Sequence, residues 1–263
     1  MRDSSGDVTR KEVLKKLIEK LHAGESIAAV KKDFQELLGG VEATEIAAME
    51  EELVKDGMPR EKLLKLCDVH MLLFKDSLDK TEHSPPEGHP AQILNGEHAL
   101  MLEFTANLSK LLSGTISGDA KREDVDHIVK HIKDSEKHYS REENILFPYL
   151  EKHGISEPPK VMWMEHDQIR AFKKELYAAL ANGDTRAAHG ISIKLENALS
   201  SHFFKENGVL FPMALEVLDD CEWVEIRKQF DEIGYCCFTP KPSAFPAGSQ
   251  AQEEMASACG ACG

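Results

Sequence analysis

His138-Tyr139-Ser140-Arg141-Glu142, with Ile145-Leu146-Phe147-Pro148 close behind, returns as His202-Phe203-Phe204-Lys205-Glu206 and Val209-Leu210-Phe211-Pro212. A Glu-His pair stands ahead of each copy, Glu97-His98 before the first and Glu165-His166 before the second. A histidine and a glutamate four residues apart share one helix face, a turn from each other. Two copies of this ligand pattern in a helical chain predict two metal ions sharing one site.

Working outward, the blocks fall in four long helical segments at 91–113, 120–153, 158–182 and 184–218. The breaks are Ser113-Gly114, Gly154 with Pro158-Pro159, and Asn182-Gly183-Asp184. Connections this short make successive helices antiparallel neighbours, so the expected fold is all-α: an antiparallel up-down-up-down four-helix bundle. A short helix is expected near 221–233, and no strand is predicted. Upstream, Leu14, Leu17, Ile18 and Leu21 fall at i, i+3, i+4 and i+7, and Ile27, Val30, Phe34, Leu37 and Leu38 extend the pattern. Leu63, Leu66, Cys67, His70, Phe74 and Leu78 form a further apolar stripe. The run from His83 to Pro90 holds three prolines and a glycine and cannot continue a helix. The expected organisation is a small N-terminal helical domain at 1–82, a linker at 83–90, the bundle at 91–234 and a flexible cysteine-containing tail at 235–263.

Antiparallel helices put residues at one height when they lie equally far from the connecting turn. His98 stands about 15 residues before its turn and His138 about 18 after it; His166 and His202 stand about 16 before and about 18 after theirs. At roughly 1.5 Å per residue these mismatches are about 3–5 Å, within side-chain reach. Six candidate ligands therefore meet at one level: His98, His138, Glu142, His166, His202 and Glu206. Two imidazoles can hold each ion while both carboxylates bridge the pair, leaving room for a solvent-derived bridge and an open position. Such mixed ligation suits iron or manganese better than sulfur-rich structural zinc. An open position is what a site needs to bind dioxygen, nitric oxide or peroxide. One histidine on a helix face is ordinarily only packed or solvated, and Leu-Phe-Pro alone would be core packing with a kink. The joint repeat outweighs both readings. A ferritin-like site needs Glu-x-x-His on two helices, and the chain has only Glu19-Lys20-Leu21-His22, outside the bundle.

The repeated His-x3-Glu with its Leu-Phe-Pro, and Glu-His ahead of each copy, resembles the hemerythrin-like (HHE cation-binding) family of non-haem di-iron bundles over roughly residues 90–220. The resemblance implies two iron ions, oxo- or hydroxo-bridged, at the six residues named. It is closer to bacterial di-iron proteins of nitric oxide stress and iron–sulfur repair than to invertebrate oxygen carriers, which bear an additional His-x3-His; here that stretch is His166-Asp167-Gln168-Ile169-Arg170. The first 80 residues, with Gly57-Met58-Pro59 and Leu66-Cys67-Asp68-Val69-His70, resemble the helical domain DUF438. The implied function is binding or redox processing of O2 or NO, as a sensor or in stress defence. The alternatives are an NO or peroxide reductase, which makes an electron-transfer partner a possibility, and an iron donor for iron–sulfur repair. His89 is an alternative first ligand, but it lies nine residues from His98, about 13 Å of helix, so His98 is preferred.

Other residues receive plainer expectations. His131 shares the face of His138 seven residues on, yet its counterpart in the repeat is Leu195, so a packing or supporting role is expected. His127 reads as solvated, and Tyr139 and Phe203 as packing. Glu97 and Glu165 read as helix-surface carboxylates, with orienting an imidazole or relaying a proton as the alternative. Cys67 and His70 read as packed. Cys236-Cys237 and Cys259-Gly260-Ala261-Cys262 supply four thiols, either a redox pair or second metal site, or incidental cysteines in a disordered tail. A formal charge of −14 argues against nucleic acid, whose phosphates need a basic footprint. No apolar run approaches the roughly 20 residues that span a bilayer. The polar opening Met1-Arg2-Asp3-Ser4-Ser5 has no apolar core for secretion, so a cytoplasmic location is expected.

Overall fold

The structure, a computed structural model, describes residues 4–26, 29–30, 32–33, 36, 49, 52–59, 85–117 and 121–240. All regular structure among them is helical. Helix α1 (Ser4–His22) buries Leu14, Leu17 and Ile18, three of the four residues of its predicted stripe. Lys11 ties it to Glu52 at 2.9 Å and Asp56 at 2.7 Å. The stripe of Cys67 and His70 and the pair Cys259 and Cys262 lie outside the described residues.

The bundle begins where Pro86 accepts from His89 N at 3.0 Å, Gly88 takes φ +86°, and Pro90 opens α2 (Pro90–Ser117). The second long segment is α3 (Arg122–Asp134), α4 (Glu136–Arg141) and α5 (Phe147–Lys152); the third is α6 (Glu157–Ala181) and the fourth α7 (Thr185–Lys205) with α8 (Phe211–Val217). A last helix, α9 (Asp220–Ile233), is set by a capping box between Asp219 and Glu222. Gly183 at φ +71° turns the chain after α6, and Asp184 Oδ1 accepts from Ala187 N at 2.9 Å to cap α7. Partners run in opposite senses between successive helices. Phe104 stacks on His131 at 4.5 Å while His98 meets His138 at 4.9 Å. Lys133 covers Tyr177 at 5.0 Å while Glu143 meets His166 at 2.8 Å. Helix α7 packs on both α2 and α6.

Two apolar clusters fill the interior. One gathers Met101, Leu108, Ile132, Ile169, Leu195 and their neighbours; the other gathers Leu94, Leu146, Leu150, Met162, Phe211 and, from α9, Trp223 and Phe230. His98 on the first long helix and His166 on the third fall between these clusters, as do Glu142 on the second and Glu206 on the fourth. The second and fourth helices reach that level through π turns, Glu142–Leu146 and Glu206–Leu210, so Phe147 N bonds Glu142 O and Phe211 N bonds Glu206 O. Each π turn begins at a motif glutamate and ends at Phe-Pro. Pro148 and Pro212 have no N–H for the carbonyl four residues back and crowd it, which a widened turn relieves. The repeated Leu-Phe-Pro run is the sequence trace of this device.

Candidate metal centre

His98 projects from α2, His138 from α4, His166 from α6 and His202 from α7, while Glu142 and Glu206 open the two π turns. All six are buried, none more than 1 % exposed. Two groups of possible ligands result, His98, His138, Glu142 and Glu206, and Glu142, His166, His202 and Glu206, with the ligand atoms of each within 4.8 Å of one another. His98 Nε2 faces His138 Nε2 at 3.2 Å, and His166 Nε2 faces His202 Nε2 at 2.9 Å. Both carboxylates lie between the pairs. Glu142 offers Oε1 to His138 Nε2 at 3.4 Å and Oε2 to His166 Nε2 at 3.3 Å. Glu206 offers Oε2 to His98 Nε2 and Oε1 to His202 Nε2, both at 3.0 Å.

Each imidazole is held from behind. His138 Nδ1 donates to Glu97 at 2.8 Å, His166 Nδ1 to Glu143 at 2.8 Å, His202 Nδ1 to Glu165 at 2.9 Å and His98 Nδ1 to Asn207 Oδ1 at 2.8 Å. Arg141, fully buried, donates to Glu97, and Lys205 donates to Glu165. Burial would raise the Glu97 and Glu165 pKa values, but the imidazole and the cation beside each hold them below the ordinary carboxylate value. A carboxylate on Nδ1 fixes the tautomer that turns the Nε2 lone pair inward. Glu97 and Glu165 are therefore not surface groups, correcting the plain sequence expectation. Glu97 lies on the buried stripe of α2 with Leu94, His98 and Met101, and that register was readable. Glu143 and Asn207 were missed altogether. Their signal was the position just after the motif glutamate, occupied in both copies by a polar side chain.

Glu142 and Glu206 have all four carboxylate oxygens buried without a well-formed hydrogen bond; their near neighbours are the imidazole nitrogens just described. Burial and then the neighbouring Glu206 push Glu142 up to about 8. Burial opposes ionisation of Glu206, but the charge of His202 and the imidazoles of His166, His202 and His98 hold it well below its ordinary value. Burial also opposes charge on His202, yet Glu206 and Glu165 lift it to about 9, whereas burial drives His138 down to about 3. Protons alone leave like atoms facing one another in each Nε2 pair. A cation between the nitrogens and carboxylates relieves both conflicts, so the donor set fits a metal pair. Around it, Phe203 stacks on His98 at 4.0 Å and Phe211 at 5.5 Å, matched across the repeat by Tyr139 at 4.6 Å and Phe147 at 6.0 Å from His166.

Among the described residues the remaining histidines stand apart from both groups. His89 is buried against Trp223 at 4.5 Å, and its Nδ1 accepts from Ala91 N at 3.1 Å at the start of α2. Burial takes its pKa down to about 4. His131 packs on Phe104, and His127 is exposed with its ring 4.9 Å from His131. Among the described residues no helix is long and apolar enough to cross a membrane.

No curated protein matches the chain. Residues 14–80 match DUF438, a family of unknown function, and residues 89–214 match the Hemerythrin HHE cation binding domain, which covers both motif copies and all six converging residues. The chain thus carries a hemerythrin HHE cation-binding domain behind a DUF438 segment.

Proposed function

We propose that the bundle holds two iron ions, one on His98 and His138 and one on His166 and His202, bridged by Glu142 and Glu206, and uses them to bind or redox-process O2 or NO. The observation that carries this reading is the pairing of four inward Nε2 atoms with four buried carboxylate oxygens that lack a well-formed hydrogen bond. Iron there would supply one-electron redox chemistry and a coordination position for a diatomic ligand. The chain's own part is positional. Glu97, Glu143, Glu165 and Asn207 keep the Nδ1 protons and aim the rings. Tyr139, Phe147, Phe203 and Phe211 keep water from the inner atoms, which strengthens every charge interaction there.

The test is anaerobic purification, metal analysis, and optical spectra with O2 and with NO. About two irons per chain and a spectrum that changes with one of these gases are expected. Glu142→Ala should lose iron while His127→Ala, outside both groups, keeps it. Full iron in Glu142→Ala, or a centre inert to both gases, would overturn the reading. Catalytic turnover with an electron donor would favour the reductase alternative, and rapid loss of iron to an acceptor protein the donor alternative.

A further inference from the structure

The chain leaving α9 is seated against the metal level. Gly234 takes φ +82°, and Cys236 is buried with its N–H donated to Glu97 Oε1 at 3.1 Å. The described start of the tail is therefore packed rather than loose. Phe238 lies over Gly96, where an added Cβ would sit 3.2 Å from the ring. Cys237 is half-buried and holds φ +67°, a left-handed conformation that is uncommon for a residue with a side chain. Its Sγ approaches Cys236 Sγ to 3.4 Å, and Phe238 N donates to Cys236 O at 2.6 Å. No disulfide joins either sulfur. Lys173, buried with its Nζ on Ser135 Oγ at 2.7 Å, interacts electrostatically with both sulfurs. The Cys237 sulfur, then burial and the Glu97 charge, hold the Cys236 thiol above its ordinary value, so Cys236 rests protonated.

We propose that Cys236 and Cys237 are a reversible vicinal dithiol–disulfide couple whose state is conveyed through Glu97 to the His138 imidazole. The thiolate of Cys237 attacks a small-molecule or protein disulfide and expels one thiolate. Cys236 sulfur then attacks Cys237 sulfur and expels the second. The two cysteines give up two electrons and two protons, and the oxidant leaves as two thiols. Adjacent Cα atoms are about 3.8 Å apart across a trans peptide, shorter than the roughly 4.4–6.8 Å a relaxed disulfide spans. The product ring is therefore strained and easily reduced, which suits a switch rather than a staple. Closing it turns the Cys236–Cys237 peptide and, through the Cys236 Cα, shifts the adjoining Tyr235–Cys236 peptide, whose N–H is now held by Glu97. Glu97 Oε2 accepts from His138 Nδ1, so a weakened grip at Oε1 leaves more negative charge behind that ring. The consequence for a metal rests on the function proposed above; the dithiol chemistry and its effect on His138 do not.

The test uses the full-length chain, metal-free, equilibrated in reduced and oxidised glutathione. A reversible loss of about two mass units is expected within the single peptide carrying both cysteines, the mark of an internal disulfide. In protein labelled with nitrogen-15 at histidine, the His138 Nδ1–H resonance should shift between the two states. It should not shift in Cys237→Ser or in Cys237→Ala, the second variant guarding against a folding defect in the first. Absence of the two-unit loss at every glutathione ratio overturns the proposal, as does a shift that persists in both variants. Iron content measured on separate samples reports on the proposed function alone, since neither readout needs metal.

Discussion

Glu143 and Asn207 hold the same place in the two halves of the site, each 2.8 Å from the Nδ1 of a histidine on the other half, yet only Glu143 bears a charge. Glu143 is further fixed by Arg170, whose Nη1 and Nη2 reach it at 2.7 and 2.9 Å. His166 and His202 are thus both backed by carboxylates, whereas His98 and His138 share one carboxylate and one amide. A carboxylate makes the imidazole a more basic ligand, and such partners alter metal affinity by roughly 10–100-fold. In the proposed centre the ion on His98 and His138 should leave first. A chelator should remove metal in two phases; Asn207→Asp should slow the first, and Glu143→Gln should hasten the second. Single-phase release unchanged by either substitution would contradict this asymmetry.

Protonation of the metal-free site predicts an unusual dependence of stability on pH. Glu142, raised to about 8, and His202, raised to about 9, bind protons in the folded chain that the unfolded chain has already released. Their contribution is present at low pH and is lost as pH rises through those values. His138 and His89, lowered to about 3 and about 4, act in the opposite sense, but their effect is complete above the ordinary histidine value of 6.5. Lys173, lowered to about 8 by burial, adds stability only above that value, so between pH 6.5 and 8 the metal-free protein should lose thermal stability. Metal-loaded protein should not, because ligands must be deprotonated to bind and affinity rises with pH. Calorimetric scans of both forms across that range test the sign, and parallel curves would refute it.

Much of this was legible because the motif is periodic twice over, in helix turns and in the repeat. Equal distance from a turn was enough to bring His98 to His138 and His166 to His202. What escaped was the outer layer. A glutamate beside a histidine has no separate periodic signal, so Glu97 and Glu165 read as surface, although the repeat that marks the ligands also marks them. The π turns escaped because one extra residue in a helix leaves the four-residue spacing of His138 and Glu142 intact. The seating of Cys236 depends on Gly96 and Glu97, more than a hundred residues away, and nothing local encodes it.

The domain boundary proposed at 83–90 has a direct test. The bundle has its own two apolar clusters, and α9 completes one of them through Trp223 and Phe230. A fragment of residues 84–240 should fold and take up as much iron as the whole chain. Ending it at 234 removes the Cys236 N–H from Glu97 and the Phe238 ring from Gly96, so iron should be held more weakly without unfolding. A folded 84–240 fragment without iron would show that residues outside it, at 1–83 or 241–263, contribute to the site.

Substituting Pro148 sets two energies against each other. Pro148→Ala restores an N–H, and in a regular helix interior that exchange favours alanine by about 3 kcal/mol. Straightening the π turn would collect this gain but rotate everything beyond it relative to α4. Ile145, Leu146, Phe147 and Leu150 would then leave the cluster they share with α9. Burying each such side chain is worth about 1.5–3 kcal/mol, so four together outweigh the helical gain. The π turn should therefore survive in Pro148→Ala, with Glu142 still between the imidazoles and iron content unchanged. Loss of iron with a raised melting temperature would instead mean that the proline, not the apolar register, holds the turn open.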